Sequence, residues 1–207
     1  MGKMKETILN PILKGNPITV LVLGICSSLA VTVELKGALV MALSVIVVTG
    51  LSSLVCSLLR NTIPNRVRII VQLVVVALMV ILVDQILKSF EATYAIDKSL
   101  SVYIGLIITN CIVMGRIEAF ALGNKPLPSL LDGLANGVGY GMILIIVAFC
   151  RELLGSGTLF GFQVVPQCLY NAGYVNNGLV ILPPFALILL GCIIWVHRSI
   201  DKDLQEK

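Results

Sequence analysis

The sequence predicts an all-α integral membrane protein in which six transmembrane segments form two inverted three-helix repeats. Three observations lead to this prediction: the composition, the lengths of the apolar runs, and a correspondence between the two halves of the chain. Of the 207 residues, 57% are hydrophobic and 13% are charged, and the mean hydropathy is +1.01. Soluble domains carry about 25% charged residues. The chain is therefore expected to form a single membrane domain over residues 1–207.

Six apolar runs are separated by charged or proline-containing turns. A transmembrane helix needs about 20 apolar residues to cross a hydrocarbon core of about 30 Å. The second, third, fifth and sixth runs suit such a crossing, whereas the first and fourth are short and are expected to be half-helices. In chain order the runs are Pro17–Val33, Gly37–Leu59, Val67–Leu87, Leu100–Gly115, Leu130–Cys150 and Gly178–Val196.

The two halves of the chain share an order of features. The polar linker Lys88–Ser99 separates a first repeat, about residues 17–87, from a second, about residues 100–197. Each repeat starts with a short run that holds one cysteine, Cys26 or Cys111, followed by a glutamate and a longer helix. Paired short, interrupted segments in two inverted halves indicate a site near the bilayer midplane. Half-helices 1 and 4 are therefore expected to carry their cysteines to such a site.

The basic residues predict the orientation in the membrane. Six crossings put both termini on one side, and eleven of the fifteen lysines and arginines fall on that side. Lysine and arginine are enriched in cytoplasmic loops, so both termini are expected in the cytoplasm, with Arg60, Arg66 and Arg68 as anchors at the membrane edge. The net charge of +4 is scattered along the chain. This pattern predicts contact with membrane lipid and no nucleic-acid partner.

Six cysteines are present: Cys26, Cys56, Cys111, Cys150, Cys168 and Cys192. Within apolar runs, cysteine often serves as a small residue that lets helices pack closely. Two thiolates are also a soft ligand set suited to iron–sulfur clusters, zinc or copper. A [2Fe–2S] cluster usually takes four thiolates, so Cys26 and Cys111 would need two more from a partner chain. On spacing alone, a metal site, helix packing and an internal disulfide all stay open.

Other residues have local interpretations. Asp84 lies near the end of the third run and is interpreted as interfacial, with an ion path as the alternative. Ser129 and Asp132 have the spacing of a helix-capping box, so Asp132 is expected to cap the fifth helix. Pro183 and Pro184 are expected to bend the sixth. The fifth run also has glycines at small-xxx-small spacing, which predicts close approach of another helix; they are Gly133, Gly137 and Gly141.

Five motifs carry a resemblance to a known family: Cys26–Thr32 (CSSLAVT), Arg60–Gln72 (RNTIPNRVRIIVQ), Val83–Lys88 (VDQILK), Ile108–Phe120 (ITNCIVMGRIEAF) and Arg151–Gly157 (RELLGSG). They resemble the Nqr/Rnf family of membrane subunits, and within it the D subunits of sodium-translocating NADH:quinone oxidoreductases. The likeness covers nearly the whole chain. The second and third motifs favour this branch over the equivalent subunit of the Rnf ferredoxin:NAD oxidoreductase, which is the alternative.

The resemblance implies a multi-pass subunit of the bacterial inner membrane. It implies an iron centre at mid-membrane, a [2Fe–2S] cluster held by Cys26 and Cys111 together with two cysteines of the paralogous E subunit. Electrons would come from a cytoplasmic subunit with NADH, FAD and an iron–sulfur cluster and leave toward a flavin of the C subunit. The flavins and the quinone site would belong to others among the A, B, C and F subunits. The isolated chain would catalyse nothing alone.

Two further classes remain as alternatives. Inverted repeats with broken helices are common in secondary transporters, and in that case Asn110, Ser27 and Ser28 would contact a substrate while the cysteines would be dispensable. A purely structural subunit would instead use the glycines of the fifth run as its contact surface. The sequence has a single histidine, His197, at a helix end, and offers no Ser-His-Asp set.

Overall fold

A computed structural model describes residues 15–64, 66–94, 105–159, 162–163 and 178–200. In these ranges the chain is helical apart from turns and one small hairpin, in which Thr158–Leu159 pairs with Phe162–Gln163. The predicted all-α class is confirmed for the described residues. The helices are α1 (Ile25–Val31), α2 (Leu35–Leu59), α3 (Arg68–Tyr94), α4 (Cys111–Arg116), α5 (Pro126–Gly155) and α6 (Pro183–Ile200), with a π-helix Ile117–Ala121 after α4 and a 3-10 helix Gly178–Ile181 before α6.

Four of the described helices are long and apolar enough to cross a membrane: α2, α3 over Arg68–Ser89, α5 and α6. Helices α1 and α4 have seven and six residues. At 1.5 Å per residue each is only about 10 Å long, so neither crosses a bilayer by itself. The count of six crossings and the inverted relation of the halves stay predictions. Helix α3 also continues to Tyr94, into the segment predicted as a linker.

The centre of the molecule is the contact between α2 and α5. A Cβ atom on Gly137 would lie 2.7 Å from the Ile46 Cα atom, and one on Gly133 would lie 2.8 Å from the Thr49 carbonyl oxygen. Real Cβ atoms do not approach other atoms so closely, so only glycine fits at these positions. The close helix approach predicted from the glycine spacing is confirmed, and α1 and α4 both pack against this pair.

Helices α3 and α6 lie at the periphery. Few of the side chains in their apolar windows are buried, whereas more than half of those in the windows of α2 and α5 are. Their exposed residues are largely aliphatic, as Ile70 and Val74 on α3 and Ile188 on α6 show. Apolar surface of this kind suits lipid contact. In the described ranges, the fold is built on a tight pair, α2 and α5, with the short helices α1 and α4 packed on it and α3 and α6 outside.

One expectation about a helix end is wrong. Helix α5 begins at Pro126 with Lys125 as its N-cap, so Ser129 and Asp132 lie inside the helix and Asp132 does not cap it. Proline favours the first helical turn, because its missing N–H would have no partner there, and the helix starts earlier than the capping pattern suggested. For the same reason Pro183 begins α6. The sixth run is bent at Leu182, between the 3-10 helix Gly178–Ile181 and Pro183, so the expected bend lies directly before the two prolines and not within α6.

Candidate metal centre

Cys26 lies in the first turn of α1, behind a tight chain reversal. Residues 17–21 form turns, and two residues of the following segment have positive φ: Val22 at 55° and Gly24 at 79°. A left-handed conformation is unusual for a β-branched residue and ordinary for glycine. The reversal therefore delivers Cys26 to the start of a helix whose N-cap, Gly24, makes no side-chain capping bond.

Gly24 is also where α1 meets α4. A Cβ atom there would lie 2.6 Å from the Ile112 Cδ1 atom and 3.2 Å from the Tyr140 Cε2 atom. Glycine is thus favoured at this position chiefly for its backbone angle and also for the space. A side chain at position 24 would force the Ile112 side chain, at the contact between the two short helices, to shift.

Cys111 is the first residue of α4, and its N-cap is Asn110. The Ile112 backbone N–H donates to the Asn110 Oδ1 atom at 3.1 Å. Asparagine is among the preferred N-cap residues because its side chain satisfies a free amide of the first turn. Residues 105–108 are helical as well, so Cys111 follows a break between two helical pieces. The sequence predicted an interrupted segment around this cysteine.

A buried hydrogen-bond network connects the two short helices. The Asn110 Nδ2 atom donates to the Ser27 Oγ atom at 3.2 Å, and the Ser27 and Tyr140 hydroxyl oxygens lie 2.7 Å apart. All three side chains are fully or almost fully buried. Asn110 and Ser27, the candidate substrate contacts of a transporter, are therefore engaged in joining α1 to α4 and α5. Sequence reasoning missed Tyr140, although a tyrosine in a glycine-rich membrane helix is a signal for a buried hydroxyl partner.

The described cysteines differ in exposure. Cys26 and Cys111 are exposed, whereas Cys56, in the last turn of α2, is completely buried. None of the five cysteines that the structure describes is in a disulfide, so the disulfide alternative finds no support in this part of the chain. Cys56 shows what a packing cysteine looks like here, and the pair at the half-helices does not share its environment. Cys168 lies outside the described residues.

The donor set of the two half-helices fits a soft metal centre only in part. Thiolates are suitable ligands for iron–sulfur clusters, and the two thiols are free and lie on short helices that pack together. In the described portion of the chain, no group of three or more His, Cys, Asp or Glu side chains is close enough to hold a metal ion. Within the described residues, Cys26 and Cys111 are thus at most two soft donors, and their role as metal ligands stays a prediction.

Arg151, near the end of α5, holds the far end of α1, and the next residue, Glu152, holds the beginning of α2. Arg151 is buried, with 1% of its surface exposed. Its Nη1 atom donates to the Leu29 carbonyl at 3.2 Å and to the Thr32 Oγ1 atom at 2.6 Å. The Glu152 carboxylate accepts from the Leu35 backbone N–H at 2.7 Å. In the sequence, Arg151 stands out only as the first residue of the family motif Arg151–Gly157, although an arginine at the end of an apolar run is itself a signal for a buried partner.

The far end of α4 is held differently. Arg116 donates to the Asp132 carboxylate through Nε at 3.0 Å and Nη2 at 2.5 Å, and Asn136 adds a bond to the same carboxylate at 3.1 Å. The pair is mostly buried, so each charge depends on the other. Asp132, expected as a cap, is instead the partner that attaches the end of α4 to α5.

The other predicted residues find partners near helix ends. The Arg60 Nη1 atom donates to the Asn124 carbonyl at 2.8 Å, and Arg68 pairs with Glu118, whose carboxylate also accepts from Gln72 at 2.8 Å. The Asp84 carboxylate pairs with Lys88 one turn on, at 2.6 Å. His197 is in the last turn of α6. These contacts leave the interpretation of Asp84 as interfacial or ion-conducting untested.

Comparison with known proteins gives consistent matches. A family model described as "Rnf-Nqr subunit, membrane protein" matches residues 4–194. The D subunit of the Na(+)-translocating NADH-quinone reductase of Aeromonas salmonicida is 55% identical over 207 residues, covering 100% of this chain and 98% of the relative. The protein of the same name from Haemophilus influenzae is 54% identical over 203 residues, covering 98% of this chain and 97% of the relative. The family match includes both half-helices.

Proposed function

Because the chain belongs to the Rnf-Nqr family of membrane subunits, we propose that it is the D subunit of a sodium-translocating NADH:quinone reductase in a bacterial inner membrane. Its relatives in Aeromonas and Haemophilus bear that subunit name. In this role it carries single electrons across the bilayer and makes or breaks no bonds. Both termini lie in the cytoplasm, as the distribution of basic residues predicts.

The observation that supports this role best is the environment of the two half-helix cysteines. Cys26 and Cys111 are exposed at the first turns of two short helices that hydrogen-bond to each other through Ser27 and Asn110. Cysteines used for packing inside this chain would be buried, as Cys56 is. Thiols that are displayed on adjacent helices suit ligands to a group that a second subunit completes.

The protein's own contribution is to fix these thiols. A bound iron–sulfur cluster supplies a carrier that accepts and releases one electron. Ser27, Asn110 and Tyr140 fix α1 and α4 relative to each other, so the two thiols keep their relative positions. Rigid support of this kind matters because ligands bind well only when their geometry is set by the surrounding structure.

The remaining ligands are assigned to a partner. A [2Fe–2S] cluster takes four thiolates, and this chain offers Cys26 and Cys111. The paralogous E subunit supplies the other two, so the cluster belongs to the interface between the two proteins. The A, B, C and F subunits carry the flavins, the NADH site and the quinone site. This division explains why the chain shows an incomplete ligand set in its described portion.

The test is to purify the whole complex with Cys26→Ala or Cys111→Ala and to measure bound iron and NADH-driven quinone reduction. We expect loss of the intramembrane iron and a fall in turnover of about 100-fold or more, since even the loss of a residue that only supports a metal ligand costs about 10- to 100-fold. The matched control is Cys192→Ala, because Cys192 is also exposed but lies within the long helix α6. Iron and turnover that survive both half-helix substitutions would overturn the assignment.

A further inference from the structure

We propose that Arg151 is the positioning residue for Cys26, because it holds the C-terminal end of the short helix on which that cysteine lies. The proposal rests on the proposed function, in which the position of the Cys26 thiol determines the properties of the bound centre. It assigns a role within the electron path to a buried side chain that lies at the end of a different helix, α5, distant from Cys26 in the sequence.

Helix α1 cannot hold its own position. It has seven residues, and its N-cap, Gly24, provides no side-chain capping bond. Isolated helices of that length are unstable, because nucleation is costly and few backbone bonds form. The last four carbonyls of any helix also lack partners within the helix. The end of α1 therefore needs partners from elsewhere in the molecule.

Arg151 supplies those partners directly and through a relay. Its Nη1 atom donates to the Leu29 carbonyl at 3.2 Å and to the Thr32 Oγ1 atom at 2.6 Å. The Thr32 hydroxyl in turn donates to the Ser28 carbonyl at 2.6 Å. Two free carbonyls of α1 are satisfied in this way, the nearer of them two residues from Cys26. A positive charge at this end also interacts favourably with the helix dipole.

The opposite edge of the guanidinium is fixed as well. The Arg151 Nε atom donates to the Val180 carbonyl at 3.2 Å, and Nη2 donates to the Ile181 carbonyl. Four acceptors from two separate segments thus surround one planar group. Arginine presents five N–H donors in a rigid fork, whereas lysine offers a single flexible ammonium group. An Arg151→Lys substitution keeps the charge but cannot reproduce these bonds.

The neighbouring residue extends the same attachment. The Glu152 carboxylate, which is buried, accepts from the backbone N–H of Leu35, the first residue of α2. Two consecutive residues of α5 therefore fix the end of α1 and the beginning of α2. The short connection between these helices is held at both of its ends.

The other half of the chain offers a matched control. Arg60 comes directly after α2, and its Nη1 atom donates to the Asn124 carbonyl, beyond α4 and its π-helical continuation. Arg60 is half-exposed, and the end of α4 has its own attachment through Arg116 and Asp132. An arginine-to-lysine substitution at position 60 therefore tests the general cost of the change without releasing a cysteine helix.

The experiment uses the complete complex with Arg151→Lys, Thr32→Val or Arg60→Lys. Thr32→Val interrupts the relay to Ser28 while keeping the shape of the side chain and the arginine. The measurements are bound iron, the electron paramagnetic resonance spectrum of the intramembrane centre, and its midpoint potential. We expect Arg151→Lys to retain iron, alter the spectrum, and change the equilibrium constant for reduction by about tenfold, which is about 59 mV for a one-electron couple.

Thr32→Val is expected to shift the potential in the same direction by a smaller amount, and Arg60→Lys to leave spectrum and potential unchanged. If the Arg151→Lys complex does not assemble, Thr32→Val alone decides. The positioning role is overturned if the Thr32→Val complex has the same spectrum and potential as the unmodified complex. Where the Arg151→Lys complex assembles, it must also be unchanged for this conclusion. If the paramagnetic resonance signal of the centre survives in Cys26→Ala, the proposed function itself fails. If that signal disappears in Cys26→Ala but is unchanged in Arg151→Lys and Thr32→Val, only the role of Arg151 fails.

Discussion

Helices α1 and α4 are almost equal in length and each carries one exposed cysteine, yet they are held by different means. Helix α1 starts at Gly24 without a side-chain cap and is held at its end by Arg151, a residue of another helix. Helix α4 is capped by the preceding residue, Asn110, and its end is attached through Arg116 to Asp132 on α5. The position of Cys111 is thus set largely by nearby sequence, whereas that of Cys26 depends on the tertiary structure.

The difference also shows which half is easier to displace. Asn110 acts on both helices, because its carbonyl oxygen caps α4 and its amide donates to Ser27 in α1. Helix α4 would keep its cap if α1 moved, but α1 would lose one of its few attachments if Asn110 moved. Substitutions on the two sides should therefore have unequal effects on the two cysteines.

The largest effect is expected from Asp132→Ala, which breaks the attachment of α4. Removing one partner of a buried ion pair costs about 3–5 kcal/mol, because the other charge is left unpaired. The thermal stability of the purified complex and its yield should fall accordingly. The control is the double variant Arg116→Met with Asp132→Leu, since replacing both charges by apolar groups is often neutral or stabilising. A single variant as stable as the double one would contradict the interpretation of the pair.

Gly24→Ala should have the next largest effect and act on the contact between α1 and α4. A left-handed backbone costs about 1–2 kcal/mol for a residue other than glycine, and the new Cβ atom would also meet Ile112 at 2.6 Å. Iron content and thermal stability of the complex measure the outcome. Adding Ile112→Ala should restore the space but not the backbone angle, so recovery should be partial. Complete recovery would show that the backbone conformation contributes nothing.

Asn110→Ser and Asn110→Ala should have the smallest effects and separate the two functions of this side chain. Loss of an N-cap costs about 1 kcal/mol, so Asn110→Ala lowers stability by at least that amount. Asn110→Ser keeps a neutral oxygen for the Ile112 N–H, since serine is also a preferred N-cap residue, but its shorter side chain loses the amide donor to Ser27. We expect Asn110→Ser to retain the α4 cap and to change mainly the labelling of Cys26 by a thiol reagent after iron removal. Equal changes in the labelling of Cys111 would contradict the division between the two helices.

Some parts of this arrangement can be predicted from the sequence, and others cannot. The hydrophobic runs predict the long helices because burial in lipid requires long apolar segments, and the glycine spacing predicts the α2–α5 contact. The cap at Asn110 is a local signal that could have been read from the sequence. The attachment of the end of α1 could not be predicted, since no pattern within residues 25–31 indicates that Arg151 approaches from α5.

The error at Asp132 has the same origin. Its spacing from Ser129 is that of a capping box, and only the position of Arg116 in space makes it an ion-pair partner. Local rules pair a polar side chain with a nearby backbone amide that lacks a partner. A buried carboxylate instead requires a charged partner, which the fold can supply from a distant part of the sequence. The interpretation of Cys26 and Cys111 as ligands, the inverted repeats and the count of six crossings stay predictions.

The long sequence separation of the contacts at α1 has a consequence for biosynthesis. Leu29 and Arg151 are 122 positions apart, and Asn16, which precedes α1, donates to the Gly139 carbonyl across 123 positions. A ribosome makes roughly 5–20 residues per second, so the Cys26 segment is synthesised several seconds before the groups that fix it. During that interval its thiol is in the membrane without its final support. If Cys26 is a ligand, as proposed above, loading of a metal centre onto this helix has to follow insertion of α5, late in the assembly of the chain.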